Sequence, residues 1–421
     1  MEIKDRIDNS ILRKESEEKN LPILDLLFKK LAKVEKSPST LLAVCPNSET
    51  VLKAAIRAAK RANAPILFAA TLNQVDIDRG YTGWTPEDLM KKIKEESYRI
   101  DYSGPTIVGI DHGGPWAKDR QAIERWDLDR CMGWMKKSFK AAIEAGYDMI
   151  HVDPTIDIFN KIEIDTVIER TIELLSYSEN FRKLKGLKPI SYEVGTEEVH
   201  GGLVNMKVFE RFLNLLRRGL AAKKIERAWP IFIVAKVGTD LHTTTFDPEV
   251  ARNVVEKVKV QGSYIKGHYT DFVENPGDYT KSGIGAANVG PEFTLIEYDS
   301  LNKLCKIEEE LYKKNLISLK SNLMDSLKKA VISSGRWKKW LKGDEKDINS
   351  LSKQRRDWVI KTCARYVWAN PEVKCSQNML FRNLEINSIC GEGIVLLNIE
   401  RAMDKYFREF NLIDLNFKLE N

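Results

Sequence analysis

The chain has 421 residues, 43% of them apolar, and a formal net charge of +6. A chain of that size can bury a large core, its small net charge gives no reason to expect a nucleic-acid partner, and no apolar run approaches the ~20 residues that span a bilayer. The opening MEIKDRIDNS lacks the apolar core of a signal peptide and the six cysteines form no CxxC pair, so the expectation is a soluble, cytoplasmic protein with reduced thiols and neither a membrane span nor a zinc finger.

Residues 1–36 read as a lead-in of one or two helices, the clearer being Pro22 to Val34. Between about 37 and 312, short β-branched runs alternate with segments of helical periodicity, the pattern of repeated βα units around a parallel sheet. The runs are Thr40 to Cys45, Pro65 to Thr71, Thr106 to His112, Met149 to Asp153, Ile190 to Gly195, Ile231 to Gly238, Ser263 to Thr270 and Ala286 to Gly290. Helix starts are legible between them. Thr85-Pro86-Glu87-Asp88 offers a capping hydroxyl, a proline at the first helical position and an acid three residues after the cap. Asn47 or Ser48 caps the first barrel helix, and Asp247-Pro248-Glu249 opens another. Eight such pairs close more naturally into a (β/α)8 barrel than they fill an open sheet. From 313 to 421 the strand runs stop and the pattern is helical and aromatic, an α-helical appendage that could pack on the barrel, contact another subunit or act as a lid. The Lys and Arg crowded between 328 and 365 read as its solvated face.

The five histidines are His112, His151, His200, His242 and His268, each in or just after the carboxyl end of a predicted strand. In a barrel those ends meet at one rim, where sites are built, and imidazoles converging there suit a divalent metal such as Zn, Mn, Co, Ni or Fe. Acids accompany them: Asp111, Asp153, Glu193, Glu197, Glu198, Asp240 and Asp271. Carboxylates at such a rim ligate metal, orient a ligand histidine or move protons. Glycines cluster at the same ends, and the loops after the seventh and eighth strands, which frequently hold phosphate in barrels, carry Thr270, Lys281, Ser282, Asn288 and Gly290. Neither a GxGxxG nor a GxxxxGK[ST] loop is present, which argues against dinucleotide and P-loop kinase chemistry.

The segments ATLNQVDIDRGYTGWTPEDL (70–89), GIDHGGP (109–115), IHVDPT (150–155), YEVGTEEVHGG (192–202), GHYTD (267–271) and NVGPEFT (288–294) resemble the GatZ/KbaZ family, the so-called non-catalytic subunits of class II D-tagatose-1,6-bisphosphate aldolase. Members have also been described as tagatose-6-phosphate kinases and as 4-epimerases of ketohexoses or their 6-phosphates. The family is similar in turn to the catalytic class II aldolases. That likeness implies a proton-transferring Asp111 beside a metal ligand His112, further ligands in His242 and His268, zinc foremost as the metal, and a phosphate-binding stretch from Asn288 to Glu292. Glu193, Glu197 and Asp153 become its partner acids. Asn73, Gln74, His151, His200, Thr270, Asp271, Lys281, Ser282, Asn288 and Gly290 become substrate or phosphate contacts. His268-Tyr269-Thr270-Asp271 departs from the aldolase His-Gly-x-Ser-Gly, which implies an altered phosphate pocket.

The activity so implied is metal-dependent cleavage or epimerisation at the C3–C4 bond of a ketose or ketose phosphate. The alternatives are a stabilising subunit of a separate aldolase and, disfavoured by the missing nucleotide loop, a sugar-phosphate kinase. A homo-oligomer or a class II aldolase subunit is the expected protein partner.

Overall fold

The computed structural model describes residues 7–34, 38–196, 205–239 and 245–420. Eight parallel strands form a closed barrel in sequence order, with β1 pairing both β2 and β8. They are β1 Leu41–Val44, β2 Ile66–Thr71, β3 Thr106–Gly113, β4 Met149–Val152, β5 Ser191–Gly195, β6 Phe232–Val234, β7 Tyr264–Gly267 and β8 Ala286–Val289. All eight lie where the β-branched runs predict them. Nearly every strand residue is buried, because side chains fill the barrel on one side and face a ring of helices on the other. Most strands are a residue or two shorter than the runs suggest, and two are shortened more. β6 ends at Val234, and Gly238 turns the chain with a φ of +100° where an added Cβ would lie 2.9 Å from Thr245 O. β7 ends at Gly267, and Tyr269 takes a left-handed φ of +55°.

Two helices precede the barrel, α1 Ile11–Glu18 and α2 Ile23–Val34. They close its amino-terminal end: Phe28 stacks on Tyr264 at 4.0 Å and meets Phe232 edge-on at 5.5 Å. Arg13 pairs there with Asp8 and Asp148, and these carboxylates accept from the Thr106 and Val108 backbone amides. The barrel helices follow as α3 Glu49–Ala62, α4 Pro86–Arg99, α5 Asp119–Ile123, α6 Leu128–Ala145, α7 Ile164–Leu184, α8 Met206–Ala222, α9 Pro248–Lys259, α10 Gly277–Lys281 and α11 Pro291–Lys313. Ser48 caps α3, Thr85 and Asp88 form the capping box of α4, and Asp247 caps α9.

The carboxyl-terminal region adds α12 Leu323–Ser334, α13 Lys353–Cys363, α14 Pro371–Glu385, α15 Gly391–Glu409 and α16 Leu415–Glu420, with single turns Arg336–Trp340 and Ala364–Tyr366. It folds back onto the barrel and shares one continuous core with it. Glu400 on α15 receives Arg57 and Arg61 of α3, and the Asp414 and Asn416 amides donate to Ala62 O and Asn63 O. The two single turns reach over the carboxyl end of the barrel, where Lys339, Trp340, Arg365 and Tyr366 wall a cavity of about 490 Å³. Among the described residues no helix is long and apolar enough to cross a membrane.

Candidate active site

A regular strand sends consecutive side chains to opposite faces. Asp111 and His112 are consecutive, yet both line the cavity at the mouth. Two local features permit this. The β3–β4 pairing shifts register between Ile110 and Gly113, and His112 sits at a φ of +50°. Left-handed backbone in a side chain outside glycine is uncommon, and such outliers gather at functional sites.

Around this kink the neighbouring strands deliver the other groups. His151 on β4 and Glu193 on β5 are register partners and project side by side. Lys266 on β7 is 0% exposed and donates to both Glu193 oxygens at 2.7 and 3.0 Å, and to Asp111 Oδ1 at 3.4 Å. Asn288 on β8 donates to Asp111 Oδ2 at 3.0 Å. His151 Nδ1 lies 3.3 Å from both Asp111 Oδ1 and Glu193 Oε1, and 3.1 Å from the His112 backbone N–H.

His112 and His268 face each other, Nε2 to Nδ1, at 3.0 Å. The second nitrogen of each is held by a carboxylate. His112 Nδ1 is 2.6 Å from Asp153 Oδ2, and His268 Nε2 is 3.2 Å from Glu193 Oε1. Thr155 steadies Asp153 with a 2.6 Å hydrogen bond.

The charges are strongly coupled. Burial pushes Asp111 upward, but Lys266, His112 and His268 outweigh it and hold the carboxyl well below its usual range. Glu193 is opposed by burial in the same way and drawn down to about 2 by His151 and Lys266. Burial also lowers His112, yet Asp111 and Asp153 raise it to about 9. His268 goes the other way, to about 4, because burial outweighs its acidic neighbours. Asp271 differs from the other acids: burial raises it to about 7 even though the Glu292 and Gly290 amides donate to it.

Asp111, His151, Glu193 and His268 each present a donor atom within 4.8 Å of the rest, a buried group that could hold a cation. The His112–His268 pair extends this group toward the cavity. Two imidazole nitrogens bound to one tetrahedral zinc at ~2.0–2.1 Å sit roughly 3.3 Å apart, close to the spacing here. A carboxylate behind each ring is the arrangement that orients ligand histidines. The residues present therefore fit a divalent metal.

The other expected residues divide. Asn73 and Gln74 line the cavity but are committed to the scaffold, Asn73 to Ala117 O and the Asp119 amide, Gln74 to Asn47 and the Thr71 amide. Asn288, Gly290 and Asp271 line it as well. Thr270 is buried behind the wall, its amide donating to Asn288 O. Lys281 and Ser282 stand apart from the site: α10 has returned the chain to the amino end of β8, where they border a separate hollow with Ser263 and Tyr264. Glu197, Glu198, His200, Asp240 and His242 lie outside the described residues. Sequence reasoning missed Lys266, a charge in the middle of an apolar strand, which can be fully buried only if paired. It also missed Arg365, Tyr366 and Lys339, whose roles depend on how the tail folds back.

The chain is a closed parallel (β/α)8 barrel with carboxylates, imidazoles and an amine gathered at its strand ends, the end at which barrels of this kind carry their sites. More narrowly, residues 28–405 match the D-tagatose-1,6-bisphosphate aldolase subunit GatZ/KbaZ-like family, and the chain belongs to it. It is 24% identical over 399 residues to D-tagatose-1,6-bisphosphate aldolase subunit GatZ of Shigella boydii, covering 89% of this chain and 90% of that one. To the GatZ subunit of Escherichia coli it is 25% identical over 403 residues, with the same coverage of 89% and 90%. Among solved structures, a probable tagatose 6 phosphate kinase from Sinorhizobium meliloti superposes with a TM-score of 0.72 at 20% identity, covering 88% of this chain and 100% of that one. A fructose-bisphosphate aldolase from Campylobacter jejuni superposes with a TM-score of 0.52 at 12% identity, covering 92% and 94%. Family and fold together make this an aldolase-related barrel protein.

Proposed function

We propose that this protein acts on the C3–C4 bond of a ketohexose or ketohexose phosphate by retro-aldol and aldol steps, with a divalent cation, zinc foremost, held by His112 and His268. The observation that carries the reading is the 3.0 Å approach of the two imidazoles, each backed by a carboxylate. His242 is the proposed third ligand. When bound, the cation supplies the Lewis acidity that steadies negative charge building on the sugar's carbonyl oxygen.

The chain's own groups then divide the remaining work. Both Asp111 oxygens are engaged, by Lys266 and Asn288, and its carboxyl is held strongly ionised, which suits an anchor better than a base. Asp271 lines the cavity with its pKa raised to about 7, the value a proton carrier needs at neutral pH. We assign it to accept the carbon-4 hydroxyl proton. As that proton leaves, the C3–C4 bond breaks, its electron pair passes to carbon 3 to give an enediolate, and carbon 4 becomes an aldehyde. If the aldehyde turns and recombines through its other face, and the proton returns, the product is the C4 epimer. The roof of Lys339, Trp340, Arg365 and Tyr366 favours retention of the fragment, and so the epimerase outcome over release.

The names of the relatives support a second reading, a stabilising subunit of a separate class II aldolase. A furnished site has no use in a scaffold, which weighs against it. NMR of fructose 6-phosphate, tagatose 6-phosphate and tagatose 1,6-bisphosphate, with and without chelator, separates the cases. Epimer without triose supports the epimerase, triose supports the aldolase, and no turnover without a second barrel protein supports the subunit.

A further inference from the structure

Arg365 is 9% exposed and lines the cavity. A buried charge is normally paired. Among the described residues, however, Arg365 has no carboxylate within ion-pair distance. Its contacts are a 3.0 Å hydrogen bond to the Tyr366 hydroxyl and the faces of Trp340 and Tyr366 at 5.2 and 5.0 Å. Those rings fix the guanidinium plane without neutralising it.

Two further cations share the wall. Lys339 is 4.7 Å from the centre of the Tyr366 ring and 3.1 Å from Asp119, a carboxylate that also receives Arg336 at 3.2 Å. Lys342 lines the cavity; its backbone N–H donates to Glu345 Oε2 at 2.8 Å, while its ammonium has no carboxylate within 4 Å among the described residues. Arg365 is thus the buried cation of the roof, with Lys339 and Lys342 on its exposed side, all three lining the open mouth of the cavity.

The other place in this cavity where an anion would settle is already filled. Backbone amides at a helix start attract oxyanions. At the start of α11 the Gly290 and Glu292 amides, at 2.9 and 2.7 Å, both donate to Asp271 Oδ1. An anionic end of a substrate thus meets a carboxylate at the barrel rim and, at the roof, a guanidinium with no carboxylate partner within ion-pair distance.

We infer that Arg365, supported by Lys342 and Lys339, forms an oxyanion subsite on the carboxyl-terminal roof that grips the charged terminal group of the substrate, a phosphate ester or a carboxylate. This rests on the proposed sugar chemistry, and it transfers recognition of the charged end from the barrel loops to the tail. The planar guanidinium suits bidentate contact with either oxyanion.

The test uses the full-length, chelator-treated protein and inorganic phosphate as the probe in isothermal titration calorimetry. Wild-type protein binds, and Arg365→Gln weakens binding about tenfold or more, as expected for a lost charge-assisted pair. Lys342→Ala, at the exposed rim, gives a smaller loss, about threefold. Unchanged melting temperatures show that the variants fold, and Lys342→Ala keeps the test open if Arg365→Gln does not. Competition with a hexose 6-phosphate and with a hexuronate identifies the source: the ligand whose affinity depends on Arg365 is the one the roof selects. Phosphate binding that ignores both substitutions, or no binding at all, overturns the subsite. Arg365-dependent binding without any ketose turnover leaves the subsite standing and removes the proposed reaction. Turnover of ketose phosphates indifferent to Arg365→Gln does the reverse.

Discussion

The Lys266 ammonium lies 2.7 Å from Glu193 Oε2 inside the barrel, both side chains fully buried. With Asp111 3.4 Å away at the floor of the cavity, one buried amine lies against two carboxylates. Removing a single partner from a buried pair leaves an uncompensated charge. Lys266→Met is therefore expected to destabilise the fold by about 3–5 kcal/mol, measured by urea unfolding. A loss below about 1 kcal/mol would mean that the two acids are held by something else, since that is the range of an exposed pair.

A second ion pair ties the amino-terminal helices to the barrel floor. Burial pushes Asp148 up, but Arg13 and Lys188 outweigh it and hold the carboxyl at about 2 against an ordinary 3.8. A carboxyl depressed in the folded state stabilises above its unfolded pKa, and that contribution disappears as pH falls from about 4 to about 2. It is worth about 2 kcal/mol. Wild-type protein should lose that much stability between pH 5 and pH 2 beyond the loss in Asp148→Asn. Parallel curves for the two proteins would contradict the assignment.

The proposed role of Asp271 sets an expected pH dependence of turnover. If its ionised form accepts the substrate proton, activity rises with pH through about 7, the value burial gives its carboxyl. Asp271→Asn retains an acceptor for the Gly290 and Glu292 amides, so the fold should survive while kcat falls about 10²-fold or more and the pH limb near 7 vanishes. A variant with full activity and the same limb would exclude Asp271 as the proton carrier.

Much of the barrel is legible in the sequence because strand and helix periods differ and each βα unit is punctuated by caps. Ser48, Thr85 and Asp247 mark their helix starts from local chemistry alone. The site is only partly legible. Histidines at strand ends point to the rim, but whether Asp111 and His112 both face it depends on the register shift after Ile110, which composition does not encode. Lys266 stands in a strand where a lysine ordinarily reads as solvent-facing, and its pairing with Glu193 is a contact across 73 residues. Lys281 and Ser282 follow the seventh strand in sequence, yet α10 carries them to the opposite end of the barrel. Arg365 belongs to a helical tail whose pattern tells that it packs, not which of its turns covers the mouth.

The central claim is that His112 and His268 share one cation. Crystals grown with zinc and measured at its absorption edge test it directly. The account predicts one anomalous peak within about 2.0–2.1 Å of both His112 Nε2 and His268 Nδ1, lost in His268→Ala protein that still folds. A peak bonded instead to Asp111, His151 and Glu193 with His112 turned away, or full zinc content in His268→Ala, would contradict it.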